Sequence, residues 1–264
     1  MAANAAAHVG LFSGGQLIWH LLLYFIGSVA MRGAGCTYND LVDHKIDMEV
    51  ARTRSRPLPS GRVTRTQAKI FILLQALVGL LVVLQLNWFS VILGVASLAI
   101  VALYPFAKRF TDWPQFFLGL AFSWGALMGW AAIFGSLSLA PVLLYIGAVV
   151  WTIGYDTIYA HQDKEDDELI GVRSTARLFG DRTRQWLIGL YGATLALMLL
   201  SFWLAGVGLV AYLGLAIAAG MFAWQIVKLD INDGDQCLYL FKSNNRVGLI
   251  IFAGLFVSLL LTLP

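Results

Sequence analysis

The chain has 264 residues, of which 59% are hydrophobic and 12% charged, with a formal net charge of +3 and a mean hydropathy of +0.76. A soluble globular protein carries about 25% charged residues, so this composition excludes a soluble fold. It also leaves no basic face from which to build a nucleic-acid binder.

The segment Met1 to Gly10 is Ala-rich and lacks a basic stretch, so it does not resemble a cleaved signal peptide. The first apolar run, 11–33, is long enough for one crossing, which takes about 20 residues. The run 68–105 is too long for one span and is interrupted at Asn87 and Trp88, so it predicts a helical hairpin. Residues 113–157 divide at Gly135-Ser136-Leu137-Ser138, and residues 185–228 divide near Gly206 and Gly208. With a last span at 246–263, the pattern predicts an all-α integral membrane protein of eight transmembrane helices.

The long polar segments are 35–67, 108–112, 158–184 and 228–246. Eight alternating spans put all four on one side of the bilayer. All 18 Lys and Arg residues and all 15 Asp and Glu residues lie in or within a few residues of these segments, and the opposite turns are uncharged. Positive-inside asymmetry assigns the charged side to the cytoplasm, or to the topologically equivalent face of an organelle.

At the end of the first span stand Asn39, Asp40, Asp43 and Asp47, spaced by three and four residues so that they share one face of a helix. Like charges so placed repel, and a divalent cation neutralises them; a solvated acidic cap is the plainer alternative. A second group follows the fifth span: Asp156, then Asp163, Asp166 and Asp167, with Glu165 ahead of Asp166 and Glu168 after Asp167. Hard oxygen donors at this density suit Mg²⁺, which takes one or two carboxylates together with ligand phosphates, and the twelve-residue spacing of an EF-hand for Ca²⁺ is absent. Arg52, Arg54 and Arg56 lead into the stiff turn Pro57-Leu58-Pro59-Ser60-Gly61, Lys108 and Arg109 follow Tyr104-Pro105, and Arg173 and Arg177 follow the second acidic group. Phosphate contact and membrane anchoring both account for Arg56, Lys108 and Arg109.

Other chemistry is poorly represented. Cys36 and Cys237 lack metal-ligand spacing and read as two free thiols. His20, His44 and His161 have no zinc spacing. His20 reads as a packed, hydrogen-bonded residue within a span, and His161 as a residue able to line or tune the second acidic group. Trp88, Trp113 and Trp151 read as interfacial anchors. Intramembrane acids also mark the ion paths of secondary transporters, but those lie near the midplane, whereas these carboxylates stand at the membrane edge.

Asn39-Asp40-Leu41-Val42-Asp43-His44-Lys45-Ile46-Asp47 and Asp163-Lys164-Glu165-Asp166-Asp167 resemble the two signatures of the UbiA superfamily of membrane prenyltransferases, N-D-x-x-D-x-x-x-D and D-x-x-x-D. Gly35 to Tyr38, Arg52 to Gly61, Tyr104 to Arg109, Tyr155 to Ala160 and Phe241 to Asn245 resemble its 4-hydroxybenzoate polyprenyltransferase subgroup. His44 departs from the Arg common in that subgroup. The resemblance implies one UbiA-like helical domain over 1–264 in a bacterial inner membrane, with its active site toward the cytoplasm. It implies a Mg²⁺-dependent enzyme that takes polyprenyl diphosphate, reached through membrane lipids, and prenylates 4-hydroxybenzoate in ubiquinone biosynthesis. Relatives with the same motifs use naphthoate, tocopherol-type aromatics, haem or glycerol ethers. By the same resemblance, Asp40, Asp43, Asp163 and Asp167 hold the metal and carry catalysis. Asn39, Asp47, Arg56, Lys108, Arg109, Tyr155 and Asp156 bind substrate. The family has nine spans and a cytoplasmic N-terminus, so the eight counted here predict that the family's first helix is missing.

Overall fold

The computed structural model describes residues 1–8, 10, 13–50, 53–164 and 171–263. Among these residues all regular structure is helical: α1 (Ala2–His8), α2 (Gly14–Glu49), α3 (Arg65–Val83), α4 (Trp88–Leu103), α5 (Pro114–Phe122), α6 (Gly125–Phe134), α7 (Leu139–Ala160), α8 (Thr175–Phe179), α9 (Thr183–Leu204), α10 (Leu209–Lys228) and α11 (Gly234–Leu260), with short 3₁₀ turns at Tyr104–Arg109, His161–Asp163 and Gly180–Arg182. Eight helical segments among the described residues are long and apolar enough to cross a membrane, as the sequence predicts. α4 crosses together with the turn to Arg109, α5 with α6, and α8 with α9.

The turns fall where the sequence places them, for local reasons. Asn87 caps α4, its side chain accepting the Ser90 N–H at 3.0 Å. Gly135 and Gly206 adopt φ of 62° and 63°, the left-handed region open to glycine. Two features differ from expectation. The fourth span is stepped at Ser123 and Trp124, where the Ala126 N–H bonds to the Ser123 carbonyl at 3.0 Å in a tightened turn. The helix bearing the last span starts twelve residues before the apolar run, at Gly234, because Asp233 caps it by accepting the Gln236 N–H. Hydropathy marks where the membrane ends, not where a helix does.

The chain forms two compact units, residues 15–106 and residues 1–14 with 107–264. In the first, α2 runs 36 residues, or about 54 Å at 1.5 Å per residue, against a hydrocarbon core of about 30 Å. Its last turns therefore project beyond the bilayer and carry Asn39 to Asp47. Glycine lets α2 and α3 approach closely: a Cβ on Gly79 would stand 2.4 Å from the Met31 sulfur. α3 begins in a capping box between Thr64 and Gln67 and exposes Leu73, Leu77 and Leu81, a face suited to acyl chains. The Tyr38 hydroxyl donates to the Ala102 carbonyl at 3.2 Å and ties α2 to α4.

In the second unit α7 packs chiefly on α9 and α5, and α10 on α11. Gly154 makes room for the Tyr191 ring, which would lie 2.6 Å from a Cβ there and stacks on Phe222 at 4.3 Å. The Tyr191 hydroxyl donates to Gln225 Oε1 at 2.9 Å, Gln225 Nε2 donates to Ser243 Oγ at 2.8 Å, and Ser243 donates to the Leu240 carbonyl at 2.7 Å. Without water, each buried polar group must find such a partner inside the bundle. Trp151 is not an interfacial anchor. Its Nε1 donates to Asn244 Oδ1 at 2.8 Å, joining α7 to α11, because the indole points into the bundle. Asn4 of α1 donates to Ser258 Oγ on α11 at 3.2 Å.

Candidate active site

The first acidic motif sits on the projecting end of α2. Asp43 and Asp47 are buried and Asp40 half-buried, all on one face, with half-buried Asn39 beside them. After α2 the chain turns back through Thr53 to Val63. The Thr53 hydroxyl donates to the Asp47 carbonyl at 2.9 Å, the Val63 N–H bonds to the Pro57 carbonyl at 3.0 Å, Leu58 is buried, and Gly61 takes φ 77°. This turn brings the Arg56 guanidinium onto the acidic face, where Nη1 donates to Asp40 Oδ1 at 3.0 Å and to Asp47 Oδ2 at 3.4 Å. One cation thus bridges carboxylates two helical turns apart. Arg52 lies outside the described residues, and Arg54 is exposed.

The second motif follows α7. Half-buried Tyr155 packs its ring against Trp151 and Phe241, with centroids 5.9 and 5.8 Å away. Asp156 follows, also half-buried, and Asp163 closes the 3₁₀ turn. The Asp163 side chain and the whole of Asp167 lie outside the described residues. In the same unit Lys108 is half-buried and Arg109 exposed. The Lys108 carbonyl accepts the Arg173 N–H at 3.2 Å, and Arg173 Nη1 donates to the Phe110 carbonyl at 3.2 Å, so Arg173 fastens the chain leaving the second motif to the stretch bearing both cations.

Sequence reasoning singled out His161 near this motif but missed the buried polar residues Thr157, Thr175, Gln115 and Thr183 around it. Thr157 and Thr175 meet at 2.6 Å, and the Thr175 N–H donates to Gln115 Oε1 at 3.2 Å. His161 Nε2 lies 3.1 Å from Thr183 Oγ1, whose own proton goes to the Gly180 carbonyl at 2.7 Å, so the imidazole N–H is the donor. Burial, aided by Lys164, lowers the His161 pKa to about 4 and keeps the ring neutral. A Gln or Thr at the margin of an apolar span is the signal that marks such residues. His20 makes the hydrogen bond expected of it, its Nδ1 lying 2.7 Å from the Gln16 carbonyl, and both cysteines are free thiols.

Among the described residues no three carboxylate, imidazole or thiol groups converge as a ready-made metal cage. Mg²⁺ does not require one, since it retains waters and takes one or two carboxylates plus substrate phosphates. Hard carboxylate oxygens of Asp40 and Asp47 already gathered around one cationic group, with Asp43 on the same face, suit that mode.

Residues 1–259 match the profile of the UbiA prenyltransferase family. Over 236 residues the chain is 50% identical to the mitochondrial 4-hydroxybenzoate polyprenyltransferase of Arabidopsis thaliana, covering 89% of this chain and 58% of that protein. The chain therefore spans little more than half the length of that curated relative. Among solved structures, the apo form of a UbiA homolog from Aeropyrum pernix K1 superimposes with a TM-score of 0.80 at 27% identity, covering 97% of this chain and 96% of the other. A UbiA homolog from Archaeoglobus fulgidus bound to GPP and Mg²⁺ shares the fold, with a TM-score of 0.66 at 16% identity over 98% of this chain and 95% of that one. With eight membrane-spanning segments among its described residues and its acidic motif in the family's spacing, the chain belongs to the UbiA prenyltransferase family.

Proposed function

We propose that this protein is a Mg²⁺-dependent 4-hydroxybenzoate polyprenyltransferase, with residues 1–264 as its prenyltransferase domain. It transfers the polyprenyl group of a polyprenyl diphosphate to the ring carbon ortho to the hydroxyl, an early step of ubiquinone biosynthesis. The observation that carries this reading is the Arg56 guanidinium bridging Asp40 and Asp47, which sets a group of the kind that takes phosphate oxygens among hard oxygen donors. The 50% identity to a 4-hydroxybenzoate polyprenyltransferase supports the choice of acceptor.

In the reaction the allylic carbon–oxygen bond breaks and diphosphate leaves with the electron pair. The electron-rich ring carbon then forms the new carbon–carbon bond, and loss of its proton to a base restores aromaticity. Mg²⁺, when bound, offsets the charge that builds on the departing diphosphate. Asp40 and Asp43 of the first motif, and Asp163 and Asp167 of the second, are the residues we assign to hold it. Arg56, Lys108 and Arg109 contact phosphate oxygens, and Asn39, Asp47 and Asp156 orient these groups. Tyr155 lies against the substrate, and the apolar spans keep water from the allylic cation. The prenyl donor arrives from the lipid phase. The charged face looks into the cytoplasm from a bacterial inner membrane, or into the equivalent compartment of an organelle.

An acceptor panel in membranes, with product analysis, tests this reading. Prenylation of 4-hydroxybenzoate should outpace that of a dihydroxynaphthoate by a wide margin, and equal or reversed rates would place the protein in another branch of the family.

A further inference from the structure

The chain entering and the chain leaving the second acidic motif are joined by a buried polar clasp. Thr157, next to Asp156, donates its hydroxyl proton to the Ile153 carbonyl at 2.6 Å. Its oxygen is therefore the acceptor in the 2.6 Å contact with Thr175, and the Thr175 hydroxyl is the donor. Thr175 also gives its N–H to Gln115 Oε1. Both threonines are fully buried and Gln115 is 5% exposed, so no water competes for these bonds. Three elements, α5, α7 and α8, thus meet at one point. Outside it, His161 and Thr183 join the same two arms a second time, and Arg173 ties the leaving arm to Lys108 and Phe110.

Packing alone does not call for hydroxyls here, since valine has the shape of threonine and carries no buried polar atom to satisfy. What the hydroxyl pair adds is a fixed distance between residues 157 and 175, the two flanks of Asp163 to Asp167. We infer that Thr157, Thr175 and Gln115 are positioning residues that set how tightly the second motif takes a divalent cation with diphosphate. This rests on the assignment of that motif to Mg²⁺-diphosphate.

The test uses the full chain purified in detergent, with Mn²⁺ in the presence of inorganic diphosphate as the probe and free Mn²⁺ read by electron paramagnetic resonance. Thr175→Val should weaken Mn²⁺-diphosphate binding about tenfold, the scale of one buried hydrogen bond. It should raise KM for the polyprenyl diphosphate in parallel while KM for the aromatic acceptor stays near wild type. Thr175→Ser, which keeps the hydroxyl, should restore binding to within about twofold. Thermal melts show whether the fold persists, and if Thr175→Val fails to fold, Thr157→Val removes the acceptor of the same bond and should weaken Mn²⁺-diphosphate binding to the same extent, wild-type affinity in it overturning the clasp. Wild-type Mn²⁺ affinity in a folded Thr175→Val variant, or in a Thr175→Ser variant as weak as it, overturns the clasp. A wild-type protein that binds no Mn²⁺ with diphosphate overturns the metal assignment itself.

Discussion

Replacing Arg56 with Gln keeps a polar side chain and removes the charge that bridges Asp40 and Asp47 among the described residues. Two unit charges about 4 Å apart attract by about 4 kcal/mol at an effective dielectric of about 20. The Arg56 side chain is 34% exposed and that of Asp40 23%, so solvent draws the pair toward the value of about 1 kcal/mol or less for exposed pairs. The Asp47 side chain is only 8% exposed, but its 3.4 Å contact is long for a strong hydrogen bond. A net loss of about 1–2 kcal/mol follows, including the repulsion left among Asp40, Asp43 and Asp47. On the scale of a large domain that lowers Tm by about 2–6 °C. Melting in detergent, with and without Mg²⁺, is the assay. Without divalent cation the variant should melt below wild type, and Mg²⁺ should raise its Tm more than that of wild type, because the ion replaces the missing neutralisation. Equal melting temperatures without Mg²⁺, or an equal response to it, would refute the view that Arg56 holds the acidic face.

Gly154→Ala sets a methyl group against a Tyr191 ring already held by Phe222 and Gln225, so it should cost about 1–3 kcal/mol; a wild-type melt contradicts the packing argument. Trp151→Phe leaves Asn244 Oδ1 without its indole donor and should cost about 1–3 kcal/mol. Adding Asn244→Leu should recover part of that loss, and a double-mutant cycle that shows simple additivity rules out the bond as the cause.

Much of this architecture is legible in the sequence because the bilayer imposes long-range order on composition. The spans follow from runs of apolar residues, and their turns from Asn87, Gly135 and Gly206, each with a local chemical reason to end or start a helix. The first motif is legible because Asp40, Asp43 and Asp47 share a helical face and the Pro57-Leu58-Pro59 turn follows directly. The step at Ser123 and Trp124 is not, since Gly125 beside it is a lone glycine inside a continuous apolar run and does not by itself mark a break. Nor is the clasp: Thr157 and Thr175 are 18 residues apart, and no periodicity connects them. Trp151 misleads for a related reason. A tryptophan near a span end has the composition of an anchor, and only the opposing Asn244, 93 residues on, turns it inward.

Metal-dependent prenyl transfer through the acidic motifs is decided by measuring diphosphate release from a polyprenyl diphosphate in the presence of 4-hydroxybenzoate. The wild-type chain should release diphosphate and the ring-prenylated product in equal amounts with Mg²⁺ and neither with a chelator, while Asp40→Asn and Asp163→Asn insert and fold yet stay inactive; full turnover in either variant, or in the chelated wild type, would contradict the account.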